Sequence, residues 1–367
     1  MKDLLGFQHD ATLGQFVFNF ILMNAIFLFT FLFRKNRKNE KLSWLLILLF
    51  CLFAYWDTDY FTFRKTFYTS MEGFRDPLYY FLSRISFNSY LVFRFYIWGG
   101  ALLLYKKSLE RFRIPLNFSV FVFAVFYLMT FSFGRISLGI ALYFYGISVL
   151  LNPGHNKVSS NIWGIVFILC SYLGHRAMAL LILLTPIILF KPNKKRVCYI
   201  IILGIIGSIM VDSLLTQLIA GDIQIGSGTS AEDALLAYAS NENELVMNWK
   251  FALTSKLRWY SIYILVGYSV WKCFFSKQSD RCSINIKKLV AVCLCVFILA
   301  FSLLQFDTIG ANEMGERFLL VLGLPLTGIM TYLRKENICS YLTVSFLLFP
   351  ALLYAEGFML GKILSFY

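Results

Sequence analysis

This sequence predicts an all-α, polytopic integral membrane fold, on three observations. Apolar runs near 20 residues recur from end to end, the length a helix needs to cross a bilayer. Of the 367 residues, 59% are hydrophobic and 15% charged, against about 25% charged in a soluble domain. Basic clusters punctuate the runs at 34–38, 106–113, 191–196, 272–288 and 334–335, the pattern of loops held on the cytoplasmic side. The same rule accounts for the net charge of +14, so no nucleic-acid partner is implied.

Taken in order, the first apolar run, 14–33, has its basic cluster behind it and no small-residue cleavage site, so it reads as an uncleaved helix running inward. The chain returns at 42–56. An outer segment, 57–87, carries Asp57, Asp59, Tyr60, Arg64, Arg75 and Asp76. Its second half, DPLYYFLSRIS, reads as a short amphipathic helix at the interface, with Pro77 in its first turn and aromatic residues at headgroup depth. Crossings follow at 88–105, 116–133 and 136–151.

The run 161–190 holds two basic residues and no acid, His175 and Arg176 being the basic pair. A cation within a membrane segment costs roughly 2.5–3.5 kcal/mol on insertion scales. Basic residues flank the run on both sides, so an even number of crossings must lie between them. Two short halves, 161–174 and 177–190, satisfy this as a helical hairpin with His175-Arg176 at its outer tip. The chain next runs outward at 197–220. An outer loop, 221–255, follows, with one helix expected at 231–240 behind Ser230 as N-cap. Crossings at 257–275 and 289–306, an outer loop at 306–317, and crossings at 317–333 and 338–355 complete about twelve segments in a single transmembrane domain, 1–367. The eight cysteines fall in helices or inner loops, so no disulfide framework is expected.

Chemistry is expected on the outer face. Arg84, Arg94, Arg135, Arg176, Arg258 and Arg317 gather near a surface where the charge rule depletes cations. Each guanidinium offers a planar fork matched to phosphate oxygens. Arg135, Arg258 and Arg317 also stand near outward helix N-termini, where the dipole favours anions. Arg94 fits either a ligand or a buried structural ion pair. Asp57 and Asp59, two residues apart, suit a general base, a metal pair or hydroxyl clamps for a sugar; a solvated loop is the plainer reading. His175 has the side chain suited to proton transfer near neutral pH; a hydrogen-bonded helix tip is the alternative. Tyr60 and its aromatic neighbours suit stacking on sugars, or a plain interface belt. No phosphate-binding loop, nucleophile elbow or metal-ligand cluster is read.

The pieces TDYFTFRKTFY (58–68), DPLYYFLSRIS (76–86), FGRISLGIALYFYGI (133–147) and SYLGHRAMALLIL (171–183) together resemble the EpsG/Wzy-like bacterial polysaccharide polymerases, in the order of an acid-Tyr loop, an acid/Pro-aromatic helix, an Arg-started helix and a His-containing hairpin. One departure is Trp56-Asp57-Thr58, where that family tends to place a Gly before the first acid. The resemblance implies a GT-C-like glycosyltransferase architecture in the bacterial cytoplasmic membrane, with its active face outward. It implies polymerisation of undecaprenyl-diphosphate-linked oligosaccharide repeat units into O-antigen, capsule or exopolysaccharide. Asp59, Arg135 and His175 would be catalytic. The Arg set read from the sequence (Arg176, Arg317, Arg258 and Arg84), with Asp57 and Tyr60, would bind diphosphate and glycan. No cofactor or metal is implied; membrane lipid, a chain-length regulator and a flippase are the expected partners. A transporter or flippase of lipid-linked glycan explains the Arg face equally well, and a membrane O-acyltransferase would also use a His.

Overall fold

A computed structural model of the chain describes residues 11–34, 39–56, 58–69, 76–127, 134–154, 156–175, 178–219, 249–304 and 309–366. Among them, every regular element is helical: α1 (Leu13–Leu32), α2 (Glu40–Leu52), α3 (Thr58–Thr69), α4 (Pro77–Arg84), α5 (Tyr90–Arg111), α6 (Leu116–Tyr127), α7 (Gly134–Leu151), α8 (Lys157–Gly174), α9 (Met178–Leu184), α10 (Lys194–Ile219), α11 (Trp249–Val270), α12 (Ile284–Leu303), α13 (Ile309–Lys335) and α14 (Tyr341–Leu364). Side-chain caps fix several starts. Thr12 and Gln15 form a reciprocal capping box on α1, and Ser89, Asn156, Ser283 and Ser340 accept a backbone N–H at the heads of α5, α8, α12 and α14.

Among the described residues, five stretches are long and apolar enough to cross a membrane: Leu13–Leu32, Lys157–Gly174, Ile284–Leu303, Gly315–Lys335 and Tyr341–Leu364. Their exposed faces are apolar, as Ile21, Leu28 and Leu32 on α1, Trp163 and Leu169 on α8, and Leu342 and Phe346 on α14 show. An inside-out exposure of this kind is what a lipid-embedded protein requires. Helix α2, with 13 residues, is shorter than a straight span. Helix α5 has 22 residues but carries Arg94 within and ends in KKSLER.

Several expectations shift in detail. Pro77 does open α4, directly after Asp76. The first half of the outer segment 57–87 is also helical, as α3. Helix α13 begins at Ile309 and absorbs most of the expected loop 306–317, α11 begins at Trp249 inside the expected loop 221–255, and α14 runs on to Leu364. The expected helix at 231–240 and its cap Ser230 lie outside the described residues.

The chain divides into two compact units, Met1–Leu183 with Gly323–Tyr367, and Leu184–Leu322. In the first, α7 packs along both α5 and α8, α2 packs on α5 and α6, and α14 on α1 and α6. Trp98, Tyr105 and Phe123 are fully buried, with Trp44 edge-on to Tyr105 at 5.9 Å. In the second, α12 packs against α10 and α11. There Ser208 of α10 hydrogen-bonds Ser302 of α12, and a Cβ on Gly204 would lie 2.6 Å from Ile298.

Helices α7 and α8 cross in close contact. A Cβ built on Gly146 would lie 2.6 Å from Ile168 and 2.7 Å from the Gly164 carbonyl oxygen; one on Gly174 would lie 3.0 Å from the Gly139 Cα. Two glycine contacts thus bring the backbones together along the pair, the use membrane helices make of small residues. Gly146→Ala is expected to destabilise the protein by about 1–3 kcal/mol through forced separation of the helices. Gly357→Ala, in the open interior of α14 with nothing within 4 Å, is expected to be neutral or to stabilise by about 0.5–1 kcal/mol. Thermal denaturation in detergent measures both, and equal stability of the two variants would contradict the crossing.

Candidate functional site

In the first unit, the elements that carry the expected site residues meet at one end. Helix α8 stops at Gly174 because His175 turns to an extended backbone, φ −165° and ψ 129°. The His175 N–H donates to the Ser171 carbonyl at 3.1 Å, and its carbonyl accepts from the Met178 N–H at 3.0 Å. Helix α9 then runs back along α7, where the Tyr143 hydroxyl donates to the Leu181 carbonyl at 3.1 Å and Met178 lies against Gly139. The break and reversal at His175 follow the expected hairpin, although its second limb is the seven residues of α9 continued by a 3-10 turn, Thr185–Leu189. Arg176 lies outside the described residues.

The Gly139–Gly174 contact sets His175 beside the first turns of α7. Arg135 is the second residue of α7, one turn before Gly139. Helix α4 packs on both α5 and α8, with Leu78 near Gly174. Arg84, at the end of α4, is exposed, and its Nη2 donates to the Tyr80 hydroxyl at 2.8 Å. Asp59 sits in the first turn of α3. At Asp59, Arg135 and Arg258 only the backbone is described, and Asp57 lies outside the described residues.

Arg94 anchors this end. It is 3% exposed, and its guanidinium faces the C-terminus of α2: Nε donates to the Leu52 carbonyl at 3.1 Å, Nη2 to the Cys51 carbonyl, and Nη1 to the Tyr90 hydroxyl at 3.5 Å. Its Cζ lies 4.7 Å from the Tyr60 ring centre. Helix α2 has no basic residue in its own last turn, so α5 supplies the cation that its carbonyls and dipole favour. The structural half of the expectation for Arg94 is met, with helix-end carbonyls and rings as partners where an acid was expected.

Tyr60 is 7% exposed. Its carbonyl accepts from the Tyr90 hydroxyl at 2.9 Å, and its ring meets Tyr55 edge-on at 5.1 Å. Burial pushes its phenol above the ordinary value of 10.0, against the pull of Arg94.

Asn19, fully buried in α1, completes the anchor. It donates to the Phe53 carbonyl at 2.7 Å and accepts from the Trp56 N–H at 3.2 Å. That clamp holds the turn from which the Asp57–Asp59 segment leaves. Asn19 carries no charge; its signal in the sequence is an amide inside the apolar run FVFNFILM.

The second unit carries the remaining two candidates. The Trp259 indole N–H donates to the Glu316 carboxylate at 3.1 Å, which clips α11 to α13 and sets the backbones of Arg258 and Arg317, each one residue away, at the same level. Among the described residues, no three His, Cys, Asp or Glu side chains form a metal-binding group.

Arg94→Met leaves the Cys51 and Leu52 carbonyls unpaired and is expected to cost about 1–3 kcal/mol per carbonyl, whereas exposed Arg84→Met should stay within about 0.5 kcal/mol of the parent. Arg94→Lys should recover only part, because an ammonium lacks the planar fork; denaturation of the purified variants reads all three. The folded state binds the Tyr60 proton more tightly than the unfolded chain does. Its contribution is therefore complete below pH about 10 and is lost as pH climbs through the folded value. Tyr60→Phe should flatten that alkaline loss in a stability–pH profile. No family model, curated protein or solved structure matches the chain.

Proposed function

We propose that the protein is a membrane glycosyltransferase that polymerises undecaprenyl-diphosphate-linked oligosaccharide repeat units into O-antigen, capsule or exopolysaccharide, as its resemblance to the EpsG/Wzy-like polymerases implies. The observation that carries the reading is the Gly139–Gly174 contact, which sets His175 beside the helix that starts with Arg135, at the end where α3 and α4 also pack. An arginine at a helix start suits a diphosphate, whose charge grows as it leaves, so electrostatic stabilisation there accelerates transfer. A histidine or a carboxylate beside it suits removal of the acceptor hydroxyl proton.

In this reading Arg135 and Arg176 hold the diphosphate, and His175 or Asp59 serves as the base. Arg84 and Asp57 contact diphosphate or glycan, and Tyr60, buried against Arg94, supports them through position. The fold is GT-C-like with about twelve crossings, in the bacterial cytoplasmic membrane with the active end outward. A flippase and a chain-length regulator act beside it. Arg94 is left out of the ligand-binding set because its guanidinium is buried and already donates to two carbonyls and a hydroxyl.

Extension of a purified lipid-linked repeat unit in proteoliposomes tests the reading. Arg135→Ala and His175→Ala, inserted at parental levels, are each expected to lower the polymerisation rate at least about 100-fold. Parental rates in both variants would refute the assignment, and movement of the unit across the bilayer without extension would favour a flippase.

A further inference from the structure

At the other end of the first unit, cations converge on one aromatic ring. Tyr341 opens α14. The Arg334 Cζ, in the last turn of α13, lies 3.9 Å from its ring centre, and the Arg34 Cζ, just past α1, lies 5.9 Å away. Phe118 of α6 braces the ring edge-on at 4.9 Å. Arg34 also stacks on Phe31 at 4.1 Å and donates to the Phe31 carbonyl.

The remaining donors are under-used. Arg334 Nη1 reaches the Asn337 Oδ1 at 2.9 Å, but among the described residues its buried Nε has no hydrogen-bond partner. The adjacent acid, Glu336, pairs with Lys335 at 3.8 Å, and Lys335 also donates to the Arg113 carbonyl. Among the described residues, neither Arg34 nor Arg334 has a carboxylate partner. Two guanidinium groups drawn to one ring repel each other, and an anion between them removes that cost. The N-terminus of the 24-residue helix α14 faces the same place and adds its partial positive charge.

Beside this polar patch the surface is apolar. Leu32 and Phe31 of α1 are exposed, and on α14 Leu342 is 80% and Phe346 76% exposed. A free phosphate would match only the cationic half. A molecule with a phosphate head and hydrocarbon tails matches both.

We propose that Arg34, Arg334 and the start of α14 bind the phosphodiester of an anionic glycerophospholipid, whose acyl chains lie along Leu32, Leu342 and Phe346. The site shares no residue with the proposed glycan site and stands independently of it.

Native mass spectrometry of the purified full-length protein tests this, with delipidated samples titrated by phosphatidylglycerol, by phosphatidylcholine of the same chains, and by inorganic phosphate. Phosphatidylglycerol should bind the parent about tenfold or more tighter than it binds the Arg34→Gln/Arg334→Gln protein. Lys107→Gln, which removes a cation paired with Glu110, should keep the parental affinity. If the double variant does not insert, each single variant should show about a threefold or greater loss. Equal binding of phosphatidylcholine, displacement by inorganic phosphate, or parental affinity in the Gln variants would overturn the proposal.

Discussion

A buried arginine that ends a neighbouring helix organises the first unit. In an apolar medium the last carbonyls of a helix cannot turn to water, and each one left bare is costly. Helix α2 meets this after only 13 residues, and Arg94, reaching from α5, satisfies two of its terminal carbonyls. That lets the chain leave α2 and turn into α3. Asn19 does the same for the next turn, and the ring of Tyr60 closes over the cation. The root of the Asp57–Asp59 segment is therefore held from α1, α5 and α3 together, so a change at Arg94 acts on the site through position.

The two ends of this unit treat their cations differently. Near His175, Arg94 is engaged by carbonyl and hydroxyl partners, which leaves Arg84, Arg135 and Arg176 as the proposed arginine contacts of this unit. At the opposite end, Lys106 pairs with Glu40 at 3.7 Å and Arg111 donates to the Asn152 carbonyl. Arg34 and Arg334 share a ring with no acid partner among the described residues. The end that the positive-inside rule marks as basic thus mixes structural cations with cations that retain unused donors.

Much of this was legible in the sequence because it rests on periodicity and on local chemistry. Charge parity located the break at His175, Pro77 marked the start of α4, and the recurring apolar runs gave the helical class. What escaped depended on partners distant in sequence. The segment TDYFTFRKTFY reads as a charged loop; it forms α3 because Tyr60, Phe61 and Phe67 are buried, with Tyr60 and Phe67 packed on Tyr90 of α5. Arg94 invited a search for an acid, while its partners are carbonyls 42 and 43 residues earlier. The glycines of α7 and α8 carry no charge and stand out from no pattern, yet their contact joins His175 to the helix that holds Arg135 in its first turn.

That contact also bears on the choice between transferase and transporter. Alternating access needs packed elements that slide or rock past each other around a site near mid-depth. Here Gly139 meets Gly174 and Gly146 meets Gly164 with almost no space between backbones. Interlocked helices at this distance separate only by breaking both contacts. Farther along the span, the Asn24–Glu356 pair of α1 and α14 is partnered within itself at 3.4 Å, whereas the candidate groups of this unit cluster on helix ends and the turn at His175. A tightly packed helix pair behind His175 suits chemistry that depends on holding reacting groups within a fraction of an ångström. It offers little to a cycle that must expose its ligand to both faces, and on this ground the transferase reading is preferred.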